Sequence, residues 1–109
     1  MSELNKIALQ ILSNGKGILA ADESTATMTK RLDSVKVHSD ENNRLLFRHT
    51  LFSSSSMSKC IGGVILYDET IRQRTSIGKT IPELIISSGS LVGIKVDTGA
   101  KALACLLYT

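Results

Sequence analysis

The sequence predicts an α/β protein in which parallel strands are joined by crossover helices. Two observations predict it. Short apolar runs at residues 17–22, 61–67 and 91–97 alternate with segments of helical periodicity, and those segments carry recognisable helix start signals. A third observation bounds the answer: 109 residues hold one small domain but fall short of a closed eight-stranded α/β barrel, which takes at least about 200 residues.

The elements follow in order. Leu4, Ile7, Ala8, Ile11 and Leu12 share one helical face, with Ser2 as N-cap and Gly15 just past the end, which predicts a first helix. The first strand runs from Gly17 to Asp22, and Thr25 then caps a short helix through Met28, Lys30, Arg31 and Leu32. Ser39-Asp40-Glu41 opens the next helix with an acidic first turn that suits the helix dipole, and Leu45, Leu46, Phe47, Leu51 and Phe52 supply its apolar positions. Ser53 to Ser56 is a low-complexity break. The second strand spans Ile61 to Tyr67, where Gly62-Gly63 permits close backbone packing. A capping box, Thr80 with Glu83, starts the following helix, and the single proline, Pro82, sits in its first turn where a missing N–H costs nothing. The third strand runs from Leu91 to Asp97.

Thirteen Lys and Arg against ten Asp and Glu give a formal charge of +3, a mild balance that suits phosphorylated small molecules. No basic stripe with interleaved aromatics marks a nucleic-acid surface. The amphipathic start is not a signal peptide, and no apolar run is long enough to span a membrane. Cys60 and Cys105 are distant and lack neighbouring cysteines, as expected of reduced cytosolic thiols.

Side chains alternate across a strand, so Ile18, Ala20 and Asp22 share one face of the first strand, and a carboxylate on an apolar face needs a partner or a task. In the third strand Val92, Ile94 and Val96 face one way while Gly93, Lys95 and Asp97 face the other. Ligands of α/β proteins bind at the carboxyl ends of the strands, where Asp22, Lys95 and Asp97 converge. Spacing alone leaves two readings open: a half-buried ion pair, or a functional site. Other motifs are weak. Gly15-Lys16-Gly17 lacks the remainder of a P-loop, and Gly62-Gly63 lacks dinucleotide-fingerprint spacing. Two Ser/Thr-x-x-Lys matches, Thr27 to Lys30 and Ser56 to Lys59, have no companion motifs. His38 and His49 stand apart without metal-ligand spacing.

Three blocks together, Gly15 to Ser24, Cys60-Ile61-Gly62-Gly63-Val64-Ile65-Leu66-Tyr67-Asp68-Glu69-Thr70, and Gly93-Ile94-Lys95-Val96-Asp97-Thr98-Gly99, closely resemble the N-terminal third of class I fructose-bisphosphate aldolase, over residues 4 to 104. The resemblance implies about three β/α units and a leading helix of a TIM (β/α)8 barrel. It implies a cytoplasmic glycolytic lyase, without cofactor or metal, that reversibly splits fructose 1,6-bisphosphate into dihydroxyacetone phosphate and glyceraldehyde 3-phosphate. In that family a lysine on a later strand forms an imine with the substrate ketone, and that lysine is absent from this chain. Carried over by position, Asp22 matches the aspartate that assists proton transfer, and Lys95 a lysine lining the site. Ser24, Thr27 and Arg31 match positions that hold a sugar phosphate, with Lys30 adjacent. The family usually has glycine where Ala26 stands and serine where Thr27 stands.

Residues 1–104 thus read as a partial barrel domain, and Cys105-Leu106-Leu107-Tyr108-Thr109 as an atypical tail of the kind a frameshift or truncation leaves. The expected partner is a phosphorylated sugar, with neither nucleic acid nor membrane, and full-length relatives are expected to be homo-oligomers. Without several strand ends the chain alone is expected to lack turnover. The alternative is a non-catalytic half-barrel that binds a sugar phosphate or associates with a full-length aldolase.

Overall fold

A computed structural model describes residues 2–96 of the chain. Helix α1 (Glu3–Ile11) begins where the Ser2 hydroxyl accepts the Asn5 N–H, and a short 3-10 turn at Ser13–Gly15 leads into strand β1 (Gly17–Ala21). Helices α2 (Thr25–Ser34), α3 (Glu41–Phe52) and α4 (Met57–Cys60) precede β2 (Ile61–Leu66). Helices α5 (Asp68–Ile71) and α6 (Ile81–Ser87) precede β3 (Leu91–Ile94). The strands lie in the order β1-β2-β3 and both pairings are parallel, as the alternation of strands and helices predicts.

Several boundaries differ from expectation for local reasons. Thr25 is the first helical residue of α2, and Ser24 is its N-cap, its hydroxyl accepting the Thr27 N–H at 3.3 Å. That turn ends β1 at Ala21, one residue before the expected Asp22. Tyr67 likewise leaves β2 to become the N-cap residue of α5. β3 ends at Ile94, although the Lys95 N–H still donates to the Leu66 carbonyl at 2.9 Å and so keeps Lys95 in register. Asp97 and the 105–109 tail lie outside the described residues. The short helices α4 and α5 have no counterpart in the sequence reading, because one turn is too short for a periodic signal. The capping box of Thr80 and Glu83 forms as expected.

The core lies on one side of the sheet. Ala21, Val64 and Leu66 project into a layer formed by Phe52, Met57, Ile81 and Ile85, all buried, with Leu45 and Leu84 packed against it. On the opposite side Ile18 is 55% exposed, and among the described residues Ile7, Gln10 and Ile11 of α1 line a cavity with the apolar floor of Ile18, Ile65 and Leu91. Gly62 and Gly63 make that contact possible: a Cβ on Gly62 would overlap the Ile11 carbonyl, and one on Gly63 would lie 3.3 Å from Ile11 Cγ2. Most of the apolar face expected for α1 nevertheless stays exposed, including Leu4, Ile7 and Leu12. In α3 the expected apolar positions divide, with Phe52 buried but Leu46, Phe47 and Leu51 exposed.

Candidate active site at the carboxyl edge of the sheet

The register places three residues in a row just past the strands. Ala20, Ile65 and Gly93 pair laterally, so two residues later Asp22, Tyr67 and Lys95 stand side by side on the open face. Lys95 Nζ lies 3.8 Å from Asp22 Oδ2, and both side chains are about a quarter exposed, at 25% and 28%. This is the convergence expected from strand alternation, and it gives the carboxyl edge an acid beside an ammonium. Both stay reachable from the open side, which suits a site where a hydroxyl and an anionic group are held together.

The other predicted residues run from the N-cap of α2, Ser24, to its last turn, Arg31. The Ser24 hydroxyl donates to Thr27 Oγ1 at 3.2 Å while accepting the Thr27 N–H, so both hydroxyls take part in the helix cap. Lys30 is exposed. Arg31 reaches back to the Glu23 carboxylate in an ion pair, its own side chain 56% exposed and that of Glu23 13%. Its forked guanidinium is therefore shared with an internal acid.

Sequence reading missed a charged cluster directly behind Asp22. Because side chains alternate, Glu23 points opposite to Asp22, into the helical layer, where it meets Arg48 of α3. Arg48 is 1% exposed. Its Nη2 donates to the Glu23 backbone carbonyl at 2.6 Å and lies 3.9 Å from the Glu23 carboxylate, and its Nη1 faces Glu69 Oε1 at 3.8 Å. Glu69, in α5, accepts a two-pronged pair of bonds from Arg44, each 2.9 Å long. Arg44 Nη1 also donates to Ser39 Oγ at 3.1 Å, and Ser39 is hydrogen-bonded to Thr29 of α2. One cluster thereby ties together the β1–α2 turn, α2, α3 and α5.

The electrostatics follow from the geometry. Burial pushes the Arg48 guanidinium below its ordinary pKa, opposed by the charges of Glu23 and Glu69. The hydrogen bonds with Arg44 hold the Glu69 carboxyl below the usual carboxylate range and raise Arg44 in turn. One signal for the cluster was present in the sequence. Arg48 falls on the same helical stripe as Leu45 and Phe52, and a cation on an apolar stripe needs an internal counter-charge.

Parallel β/α units with a carboxylate and a lysine meeting at the carboxyl edge are the arrangement that a portion of a β/α barrel presents. The comparisons with known proteins narrow this further. The family model for fructose-bisphosphate aldolase class-I matches residues 3–107, and the chain belongs to that family. The non-muscle fructose-bisphosphate aldolase of Lethenteron camtschaticum is 55% identical over 103 residues, and human fructose-bisphosphate aldolase B is 52% identical. Each alignment takes in 94% of this chain and 28% of the relative, so the chain spans little more than a quarter of the length of the curated proteins it matches. A solved structure of the Plasmodium falciparum aldolase, in complex with TRAP and a small-molecule inhibitor, superimposes with a TM-score of 0.89 at 40% identity. It covers 94% of this chain and 30% of that one. The fold is therefore a part of the aldolase barrel.

Proposed function

We propose that this chain supplies the first strands of a fructose-bisphosphate aldolase site that reversibly cleaves fructose 1,6-bisphosphate to dihydroxyacetone phosphate and glyceraldehyde 3-phosphate. The observation that carries the reading is the Asp22–Lys95 pair, 3.8 Å apart at the carboxyl edge of parallel strands, in a chain of this family. Asp22 holds a substrate hydroxyl and moves protons during formation and breakdown of the carbinolamine. Lys95 adds positive charge beside it, favouring an anionic ligand. Ser24, Thr27 and Arg31 receive a phosphate, with Lys30 at the rim. The imine-forming lysine, which turns the substrate ketone into an electron sink, comes from a later strand outside these 109 residues. The assembled enzyme is a cytoplasmic homo-oligomer that works without metal.

The test is to join residues 2–96 to the later part of the Lethenteron relative and assay cleavage. The complete barrel is expected to cleave fructose 1,6-bisphosphate and to be inactivated by borohydride in the presence of substrate, and Asp22→Ala is expected to lower kcat by about 100-fold or more. The 109-residue chain alone is expected to show no turnover. A complete barrel without activity would sink the reading. Sugar-phosphate binding by the 109-residue chain itself, beside an inactive complete barrel, would favour a non-catalytic half-barrel, an alternative that the open sheet face also suits.

A further inference from the structure

We infer that Arg48 is a positioning residue for Asp22, acting through the backbone of Glu23; the inference rests on the aldolase reading for its kinetic consequence. Asp22 stands on a two-residue link between the last residue of β1, Ala21, and the N-cap of α2, Ser24. Ala21 is anchored by the ladder and by burial, and Ser24 by its cap bonds. The peptide between them is fixed by something else. Arg48 Nη2 donates to the Glu23 carbonyl at 2.6 Å, the shorter and more direct of its contacts, while the carboxylates of Glu23 and Glu69 lie at 3.9 and 3.8 Å. The guanidinium is thus bonded to the main chain next to Asp22 and merely balanced by the acids.

The geometry has a clear consequence. The Glu23 carbonyl belongs to the Glu23–Ser24 peptide, so the bond fixes the chain one residue beyond Asp22; with Ala21 held by the ladder on the other side, it restricts the direction of the Asp22 side chain on the opposite face. A planar fork can bond the carbonyl and face both carboxylates at once, whereas an ammonium on a flexible stem has no fixed fork to do so. A buried guanidinium in a packed helix layer is held far more rigidly than the exposed Arg31. Arg44 provides a natural control, because it belongs to the same cluster and bonds Glu69 but does not touch the turn.

Two measurements decide. In the 109-residue chain, amide hydrogen exchange is compared between wild type, Arg48→Lys and Arg44→Lys. Arg48→Lys is expected to speed exchange of the Thr27 and Met28 amides, which bond Ser24, by about tenfold while β2 amides change little. Acceleration spread evenly over α2 and β2, or none at all, would overturn the inference. In the complete barrel, Arg48→Lys is expected to lower kcat by about 10- to 100-fold with KM within about twofold, as misplacement of a reacting group does. Arg44→Lys is expected to leave kcat nearly unchanged. Equal losses in the two variants, or none in Arg48→Lys, would also overturn it. Absence of cleavage by the wild-type barrel would sink the aldolase reading instead, and the exchange pattern alone then decides whether Arg48 holds the turn.

Discussion

The two faces of the sheet are built from the same three strands but have opposite surroundings. Towards the helices, Ala21, Val64 and Leu66 are sealed by Phe52, Met57, Ile81 and Ile85, and a buried charged cluster closes the carboxyl end of that layer. Towards the other side, Ile18 is more than half exposed and, among the described residues, α1 is the helix that leans on the strands. The difference teaches that β/α units complete one layer locally, since each crossover helix packs on the strands it connects. The inner face of a barrel is filled only by the side chains of strands far away in sequence. The Asp22–Lys95 pair belongs to the open face, while Glu23 and Arg48, which sit directly behind it, belong to the sealed one.

The largest effect should come from truncating the sealed face. Phe52→Ala is expected to cost about 3–5 kcal/mol, whereas Ile18→Ala on the open face should cost under about 1 kcal/mol, both read from urea unfolding. Similar costs at the two sites would erase the distinction. A smaller effect is expected where α1 covers part of the open face. Gly62→Ala must push the Ile11 carbonyl aside, at about 1–3 kcal/mol, and should detach α1 while leaving the other helices in place. Exchange protection retained throughout α1 in that variant would contradict the contact.

The smallest effect concerns pH and the charged cluster. Glu69 is held below the ordinary carboxylate value of 4.5 by its bonds from Arg44. A depressed folded-state pKa means the fork stabilises the protein above that value, and the gain is lost as pH falls through it to the lower folded value. Unfolding should therefore show stability falling as pH drops below the ordinary carboxylate range, a slope that Glu69→Gln reduces. An unchanged slope in the variant would show that the cluster is solvated rather than part of the sealed layer.

How much was legible can be traced residue by residue. The α/β order, the capping box at Thr80 and the close packing at Gly62-Gly63 were readable because each depends on local chemistry or spacing. The convergence of Asp22 with Lys95 was readable because side-chain alternation and parallel register are periodic. The shift of the N-cap from Thr25 to Ser24 was not, since adjacent hydroxyl residues have nearly equal capping preference and the path of the chain out of β1 chooses between them. The exposed Leu46, Phe47 and Leu51 share the helical periodicity of buried Phe52, and no local rule distinguishes a face that is covered from one that is not.

By itself, then, the sequence determined the element order, the strand alternation that puts Asp22 and Lys95 on one edge, and the resemblance that the family comparison bears out. Tertiary structure alone decided that Arg48 turns inward to the Glu23 carbonyl, that Arg44 and Glu69 pair across α3 and α5, and that Arg31 is drawn to Glu23. The physical reason is range. Periodicity and capping act over a few residues, whereas a buried guanidinium selects its partners from whatever carbonyls and carboxylates the packing of distant helices brings within about 4 Å.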